Sequence, residues 1–216
     1  MNKLLYRFNN QVLKNSINSK EILGGKGANL AQMAKLGLPV PPGFTISTEA
    51  CHLFYQNKKK LSPKVVKGIS KELKKIEKEA KKKFGDLKNP LLVSVRSGAR
   101  VSMPGMMDTI LNLGLNDKTV LSLAKKTKNM RFAKDSYRRL IQMYGHVVLG
   151  IESHFFEELI ENYKLTKGVL LDTDLDESDW ENLIKDFKNL VKEKTKKEFP
   201  QNDNSLHQAQ RYCTFV

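Results

Sequence analysis

The stretch ILGGKGANL at residues 22–30 decides the fold of the first half of the chain. Its adjacent glycines, Gly24 and Gly25, favour a turn, and the residues after them have the apolar spacing of a helix over residues 26–36. Gly37 is expected to end that helix, because glycine readily adopts the left-handed conformation that follows many helices. Backbone N–H groups at a glycine turn before a helix can bind an anion, but a purely structural turn explains the pattern equally well.

The glycine stretch matches neither of two common nucleotide-binding loops. Lys20 stands where a Walker A loop has its first glycine, and Gly27 replaces the serine or threonine that would hold magnesium. Leu30 occupies the place of the third glycine in a dinucleotide-binding fingerprint. A phosphate site at this turn would therefore have to be of another type.

Apolar periodicity predicts short strands early in the chain and helices later. Strands are expected at residues 44–46, 91–95 and 109–113. Helices are expected to begin at Ser47 or Thr48 and at Ser62–Pro63, and then to cover residues 117–127, 129–149, 153–163 and 178–199, the last capped by Ser178. The helix after Pro63 carries an apolar stripe that extends to Phe84, and Tyr137, Leu140, Ile141 and Tyr144 are expected in a core. This order of elements predicts the α+β class, with an α/β core and an inserted all-helical subdomain.

A second candidate site lies where the predicted strand at 91–95 ends. Arg96 follows that strand, so its guanidinium would be held rigidly, and its planar fork suits bidentate contact with phosphate. Ser97 can add a hydroxyl donor to the same ligand. A salt bridge between Arg96 and a neighbouring carboxylate is the structural alternative.

The third candidate is the loop SMPGMMD at residues 102–108. Three methionines around a Pro-Gly turn are unusual in an exposed loop, where polar residues dominate. They either fill the core or form a mobile lid that grips a ligand with a glycine hinge. The pattern alone does not decide between the two.

The net charge of +15 has two explanations. Clustered basic residues would suit the phosphates of nucleic acid. Most of the charge, however, is lysine in helical segments that also contain glutamate, as at residues 71–83 and 192–197, without interleaved aromatics for base stacking. We therefore interpret the lysines as a solvated helix face and do not expect a nucleic-acid partner, with a basic polyanion-binding module as the alternative.

The sequence predicts neither a metal site nor a membrane segment. No apolar run approaches the roughly 20 residues that cross a bilayer, and the first ten residues lack the apolar core of a secretory signal. Cys51 and Cys213 are far apart, and the acidic stretch at 172–179 lacks the glycine and final glutamate of a calcium loop. A cytoplasmic protein is expected.

Several motifs together resemble one family. Residues 22–30 and GLPVPPGFTI at 37–46 are similar to the opening of pyruvate, phosphate dikinases and of the related phosphoenolpyruvate synthases. SMPGMMDTILNLGLN at 102–116 resembles the dikinases specifically. The similarity continues through the helical block and covers nearly everything from Leu23 to Gln201.

The resemblance implies an ATP-grasp-type nucleotide-binding domain that clamps the polyphosphate of ATP between two lobes. It makes Lys26 and Arg96 phosphate ligands and places Gly105 and Met107 in a loop over the polyphosphate. In the whole enzyme, ATP, phosphate and pyruvate would give AMP, pyrophosphate and phosphoenolpyruvate through a histidine on a swivelling domain, assisted by magnesium. Such phosphoryl transfer depends mainly on positive charge placed at the transferring oxygens.

The chain also departs from the family. The later lobe, which would supply acidic magnesium ligands, and the phosphate-accepting motif Gly-Gly-x-Thr-Ser-His have no counterpart here, so no catalytic residue is assigned. We expect an incomplete nucleotide-binding lobe at 1–116, the inserted helical subdomain at 117–199 and a divergent tail at 200–216. We expect the magnesium ligands to lie outside this chain, and the isolated chain to be inactive. A separately encoded remainder of the enzyme is a candidate partner, and a decayed, non-catalytic fragment is the alternative.

Overall fold

A computed structural model describes residues 4–8, 19–58, 60–96 and 109–201 of the chain. Its strands are β1 (Leu5–Arg7), β2 (Phe44–Ile46), β3 (Val93–Arg96) and β4 (Thr109–Leu113). Its α-helices are α1 (Ser19–Lys35), α2 (Thr48–Gln56), α3 (Pro63–Ala80), α4 (Thr119–Thr127), α5 (Met130–Val147), α6 (Ser153–Lys167) and α7 (Glu177–Thr195). The mixture of helices with small separate sheets confirms the α+β class.

The described residues form two compact units. The first contains β1, α1, β2, α2 and α3, and the second contains β4, α4 to α7 and β3 as far as Val95. The predicted division into a nucleotide-binding lobe at 1–116, a helical subdomain at 117–199 and a tail at 200–216 stays a prediction.

A short antiparallel ribbon organises the first unit. β1 pairs with β2 in a register that sets Leu5 opposite Ile46. Side chains from α2, α3 and the start of the ribbon pack into a small apolar core, which consists of Leu4, Ala50, Val65 and Ile69. β1 was not predicted from the sequence, because three residues are too few to show an alternating pattern.

The two predicted caps of the first unit are present. The Ser47 hydroxyl accepts from the N–H of Ala50 at 3.3 Å and begins α2, while the Ser62 hydroxyl accepts from the N–H of Val65 at 3.4 Å and begins α3. The end of α3 was predicted too late. The helix stops at Ala80 because Lys81 adopts a left-handed conformation, so Phe84 lies beyond it, although its side chain is buried.

The second unit is built around α5. The side chains of Tyr137, Leu140, Ile141 and Tyr144 are at most 2% exposed, which confirms their predicted burial. Strands β3 and β4 form a two-stranded sheet in the same unit. No residue between 117 and 199, all of which are described, lies in a strand.

The start of α7 corrects one prediction. Ser178 was expected to cap this helix, but Asp176 does so, because its carboxylate accepts from the N–H groups of Ser178 and Asp179. Ser178 instead lies inside the first turn. After α7 the chain returns to α5, where the ring of Phe199 lies edge-on to Tyr144 at 5.5 Å between centroids.

Among the described residues, no helix has the length and apolar character needed to cross a membrane.

Candidate functional site

The predicted glycine turn is a sharp break within α1. Gly24 has φ 69° and ψ 171°, which interrupts the helical conformation between Ser19 and Lys35. This combination of angles is open almost only to glycine, because a Cβ would collide with the backbone. A helical turn therefore precedes the break as well as following it, whereas the sequence predicted a helix only from residue 26.

Contacts within the first unit hold the break in place. The Thr48 hydroxyl donates to the carbonyl of Glu21 at 2.5 Å and lies 3.4 Å from that of Ile22, so the turn before Gly24 is tied to the start of α2. On the other side of the break, a Cβ at Gly27 would stand only 2.7 Å from the Thr45 hydroxyl. Gly27 thus allows α1 to approach β2 closely, a reason for this glycine that the sequence pattern did not indicate.

Lys26 lies just after the break and is half-buried. Its ammonium group makes no ion pair or hydrogen bond with the residues that the structure describes. Because the backbone around Lys26 is fixed and its ammonium group has no carboxylate partner, this lysine is suited to bind an anionic ligand. Its role as a phosphate ligand stays a prediction.

Arg96 is the last residue of β3, and its side chain is exposed. Burial alternates along the strand, with Val93 and Val95 half-buried and Ser94 and Arg96 exposed, so a strand end does carry this guanidinium as predicted. The alternative was a salt bridge, but no carboxylate of the described residues pairs with Arg96. Whether Arg96 and Lys26 act on one ligand stays a prediction.

The remaining predicted ligands, Ser97, Gly105 and Met107, lie outside the described residues. The choice between a core plug and a lid for the loop at 102–108 therefore stays open.

The hydrogen bond from Thr48 to the helical turn before Gly24 was not predicted from the sequence. Thr48 was predicted only as the start of a helix, since a hydrogen bond to a carbonyl 27 residues earlier in the chain leaves no local pattern. Gly24, by contrast, is recognisable from the sequence as a turn residue, but its angles are not.

Within the described part of the chain, no group of three or more His, Cys, Asp or Glu side chains could hold a metal ion. The acidic stretch near residue 176 has structural partners instead. Lys167 pairs with both Asp176 and Asp179, and these contacts, with the first-turn N–H groups, hold the pKa of Asp176 far below its usual value.

The comparisons with known proteins cover the part of the chain that contains the glycine turn. A family model described as "Pyruvate phosphate dikinase, AMP/ATP-binding domain" matches residues 20–70, from the turn before Gly24 into α3. The chain is 52% identical over 182 residues to the pyruvate, phosphate dikinase of Entamoeba histolytica and 50% identical over 202 residues to that of Clostridium symbiosum. It is 54% identical over 181 residues to the chloroplastic pyruvate, phosphate dikinase of Flaveria pringlei.

By sequence, the chain is similar to the N-terminal part of the pyruvate, phosphate dikinases. The three alignments cover 84%, 93% and 84% of this chain, but only 21%, 23% and 19% of the respective dikinases. The chain thus spans about a fifth of the length of the relatives it matches.

The dikinase similarity extends well beyond the residues that the family model matches. The alignment with the Clostridium symbiosum dikinase leaves 14 of the 216 residues outside. Wherever it begins, it therefore includes Lys26, Arg96 and the loop at 102–108. All five predicted phosphate-site residues therefore lie within the region that aligns with this dikinase.

Proposed function

We propose that this chain is the ATP-binding N-terminal portion of a pyruvate, phosphate dikinase, with an ATP-grasp-type nucleotide-binding fold. The full reaction would convert ATP, phosphate and pyruvate into AMP, pyrophosphate and phosphoenolpyruvate. The observation that carries the proposal is the match of an AMP/ATP-binding domain at residues 20–70, which includes the break at Gly24 in α1.

Lys26 and Arg96 supply the positive charge for the ATP phosphates in this proposal. Arg96 presents a planar fork for two phosphate oxygens, and Lys26 presents a point charge beside backbone N–H groups at a helix start. Ser97 adds a hydroxyl donor, while Gly105 and Met107 cover the polyphosphate. Support comes from the absence of competing carboxylates around Lys26 and Arg96 in the described chain.

Magnesium would neutralise charge on the polyphosphate when bound. The described residues do not fit such an ion, since they contain no cluster of acidic or histidine side chains that could hold it. We therefore place the magnesium ligands outside the described residues and assign these residues no metal-dependent step.

We infer that the 216-residue polypeptide by itself binds ATP weakly and transfers no phosphoryl group. Two basic side chains in a solvated site would have to bear the charge of the triphosphate, and high dielectric weakens each contact. The sequence also holds no motif of the phosphate-accepting type. Activity would then require the rest of the enzyme, added in trans.

Isothermal titration calorimetry with ATP tests the binding proposal. Losing one charged hydrogen bond to phosphate costs about 1.5 to 3 kcal/mol, so Arg96→Ala should weaken affinity by about ten- to a hundredfold. Lys26→Met should have the next largest effect. Lys35→Met, on the same helix, and Arg139→Ala, an exposed arginine of α5, are the matched controls and should bind ATP as the wild type does.

The outcomes separate the functions under consideration. Wild-type affinity that resists all four substitutions would remove Lys26 and Arg96 from the site. A folded chain that binds no ATP would favour the decayed fragment. AMP formation by the chain alone, abolished by Arg96→Ala, would show that it is already a working enzyme.

A further inference from the structure

The outer side of α3 carries lysine as its only charged residue type. At about 100° per residue, six lysines fall within an arc of about 100°, directly opposite the buried side chains of the helix. We call this set the lysine arc; it consists of Lys64, Lys67, Lys71, Lys74, Lys75 and Lys78. All six are exposed, whereas Val65, Ile69 and Ile76 on the opposite side are buried.

The glutamates of α3 lie outside the arc. Glu72 and Glu79 lie on the flank nearer the core, where both contact Arg7 of β1. Lys75 of the arc pairs with the Glu72 carboxylate at 2.7 Å. The ammonium groups of four arc residues make no ion pair or hydrogen bond within the described residues; these are Lys67, Lys71, Lys74 and Lys78. The helix composition suggested that glutamate balances the lysines, but Glu79 pairs with Arg7, and Glu72 contacts both Arg7 and Lys75.

The shape of the arc restricts its partner. At about 1.5 Å per residue, the lysines from Lys64 to Lys78 form a straight ridge about 21 Å long on α3. The ridge has no apolar side chain to insert into a bilayer, no aromatic ring on which an unpaired base could stack, and no anchor for a protein interface. A nucleic-acid duplex needs none of these, because counterion release from its closely spaced phosphates rewards cations alone.

We propose that the lysine arc of α3 is a docking surface for the phosphate backbone of double-stranded nucleic acid, without sequence preference. The surface lies on exposed lysines that the phosphate site does not use, and it goes beyond the proposed dikinase function. Its affinity comes from charge alone, so it must depend steeply on salt.

The test is fluorescence anisotropy of a labelled duplex of about 20 base pairs and random sequence, titrated with the full chain at several salt concentrations. Six phosphate contacts predict that wild-type affinity falls about a thousandfold between about 50 and 200 mM salt. A variant with Lys67, Lys71, Lys74 and Lys78 changed to Gln should keep only about a tenfold dependence, since its slope falls by about 3.6.

A control variant loses the same four charges elsewhere, by changing four exposed lysines of the second unit to Gln; these are Lys118, Lys125, Lys185 and Lys192. It should retain the wild-type slope. Equal loss in both variants would overturn the proposal in favour of a general effect of net charge. Absence of duplex binding at about 50 mM salt would overturn it directly. Equally tight, arc-dependent binding to vesicles of phosphatidylserine and phosphatidylcholine would overturn it in favour of a membrane surface.

Discussion

Gly24→Ala should destabilise the first unit through the conformation of the backbone at this position. With φ 69° and ψ 171°, the backbone at this position lies in a region essentially restricted to glycine. An alanine must either accept strain of about 1–3 kcal/mol or move the helical turn before it, which would break the bond from Thr48 to the carbonyl of Glu21. We therefore expect a loss of about 1–3 kcal/mol.

Gly25→Ala is the matched control, because Gly25 is not among the described glycines with positive φ. It should be neutral or stabilise the helix by about 0.5–1 kcal/mol, as alanine does in place of a glycine with ordinary angles. Because only the Gly24 substitution is expected to destabilise, comparing the two adjacent positions removes general effects of the added methyl group.

The assay has to report on the first unit specifically. Trp180, the only tryptophan, lies in α7, so its fluorescence follows the second unit. Amide hydrogen exchange in α1 after Lys26 instead measures local opening, and about 1–3 kcal/mol corresponds to exchange about five to 150 times faster in Gly24→Ala. Equal exchange rates in Gly24→Ala and Gly25→Ala would refute the reasoning.

Three further predictions concern single contacts. Asp135→Ala leaves the buried Arg138 guanidinium without its partner at 2.5 Å, so the free energy of unfolding measured in urea should fall by about 3–5 kcal/mol. Arg139→Ala removes an exposed partner of the same carboxylate and should lower that free energy by at most about 1 kcal/mol. Thr48→Val should weaken ATP binding, and Thr48→Ser, which keeps the hydroxyl, should restore it; equal affinities of the two variants in calorimetry would exclude this positioning role. The hydrogen bond from Lys167 of α6 is the main cause of the lowered pKa of Asp176. The ionised carboxylate therefore stabilises the fold above the ordinary pKa near 3.8, and this stabilisation is lost as the pH falls below that value. Thermal melts of Asp176→Asn should accordingly depend less on acid than those of the wild type.

Local chemistry predicts much of the fold correctly. Hydroxyl caps at Ser47 and Ser62 and the proline after Ser62 act within three or four residues, so the starts of α2 and α3 can be found without tertiary information. Errors occur where two local signals compete. Asp176 and Ser178 are both good caps, and the additional contact from Lys167, nine residues away, favours the aspartate.

In the candidate site, too, local patterns are predictable from the sequence and tertiary contacts are not. The sequence identifies the glycine turn and the strand that ends in Arg96, because both are short-range patterns. It cannot give the direction of the chain after Gly24, since that depends on Thr48 and on the approach of Gly27 to Thr45. Nor can composition show that Arg7 engages two glutamates of α3, which requires the pairing of β1 with β2.

The two basic features of the first unit should therefore respond differently to salt. Lys26 is half-buried beside a fixed backbone turn, so a phosphate there gains directed hydrogen bonds as well as charge, and screening removes only part of the affinity. The lysine arc is exposed and lacks directed donors other than the mobile ammonium groups, so nearly all of its affinity for a duplex comes from counterion release. Raising salt from about 50 to 200 mM should thus abolish duplex binding while ATP binding declines far less. If both declined in parallel, ATP would be bound by diffuse charge, and the glycine turn would have only a structural role.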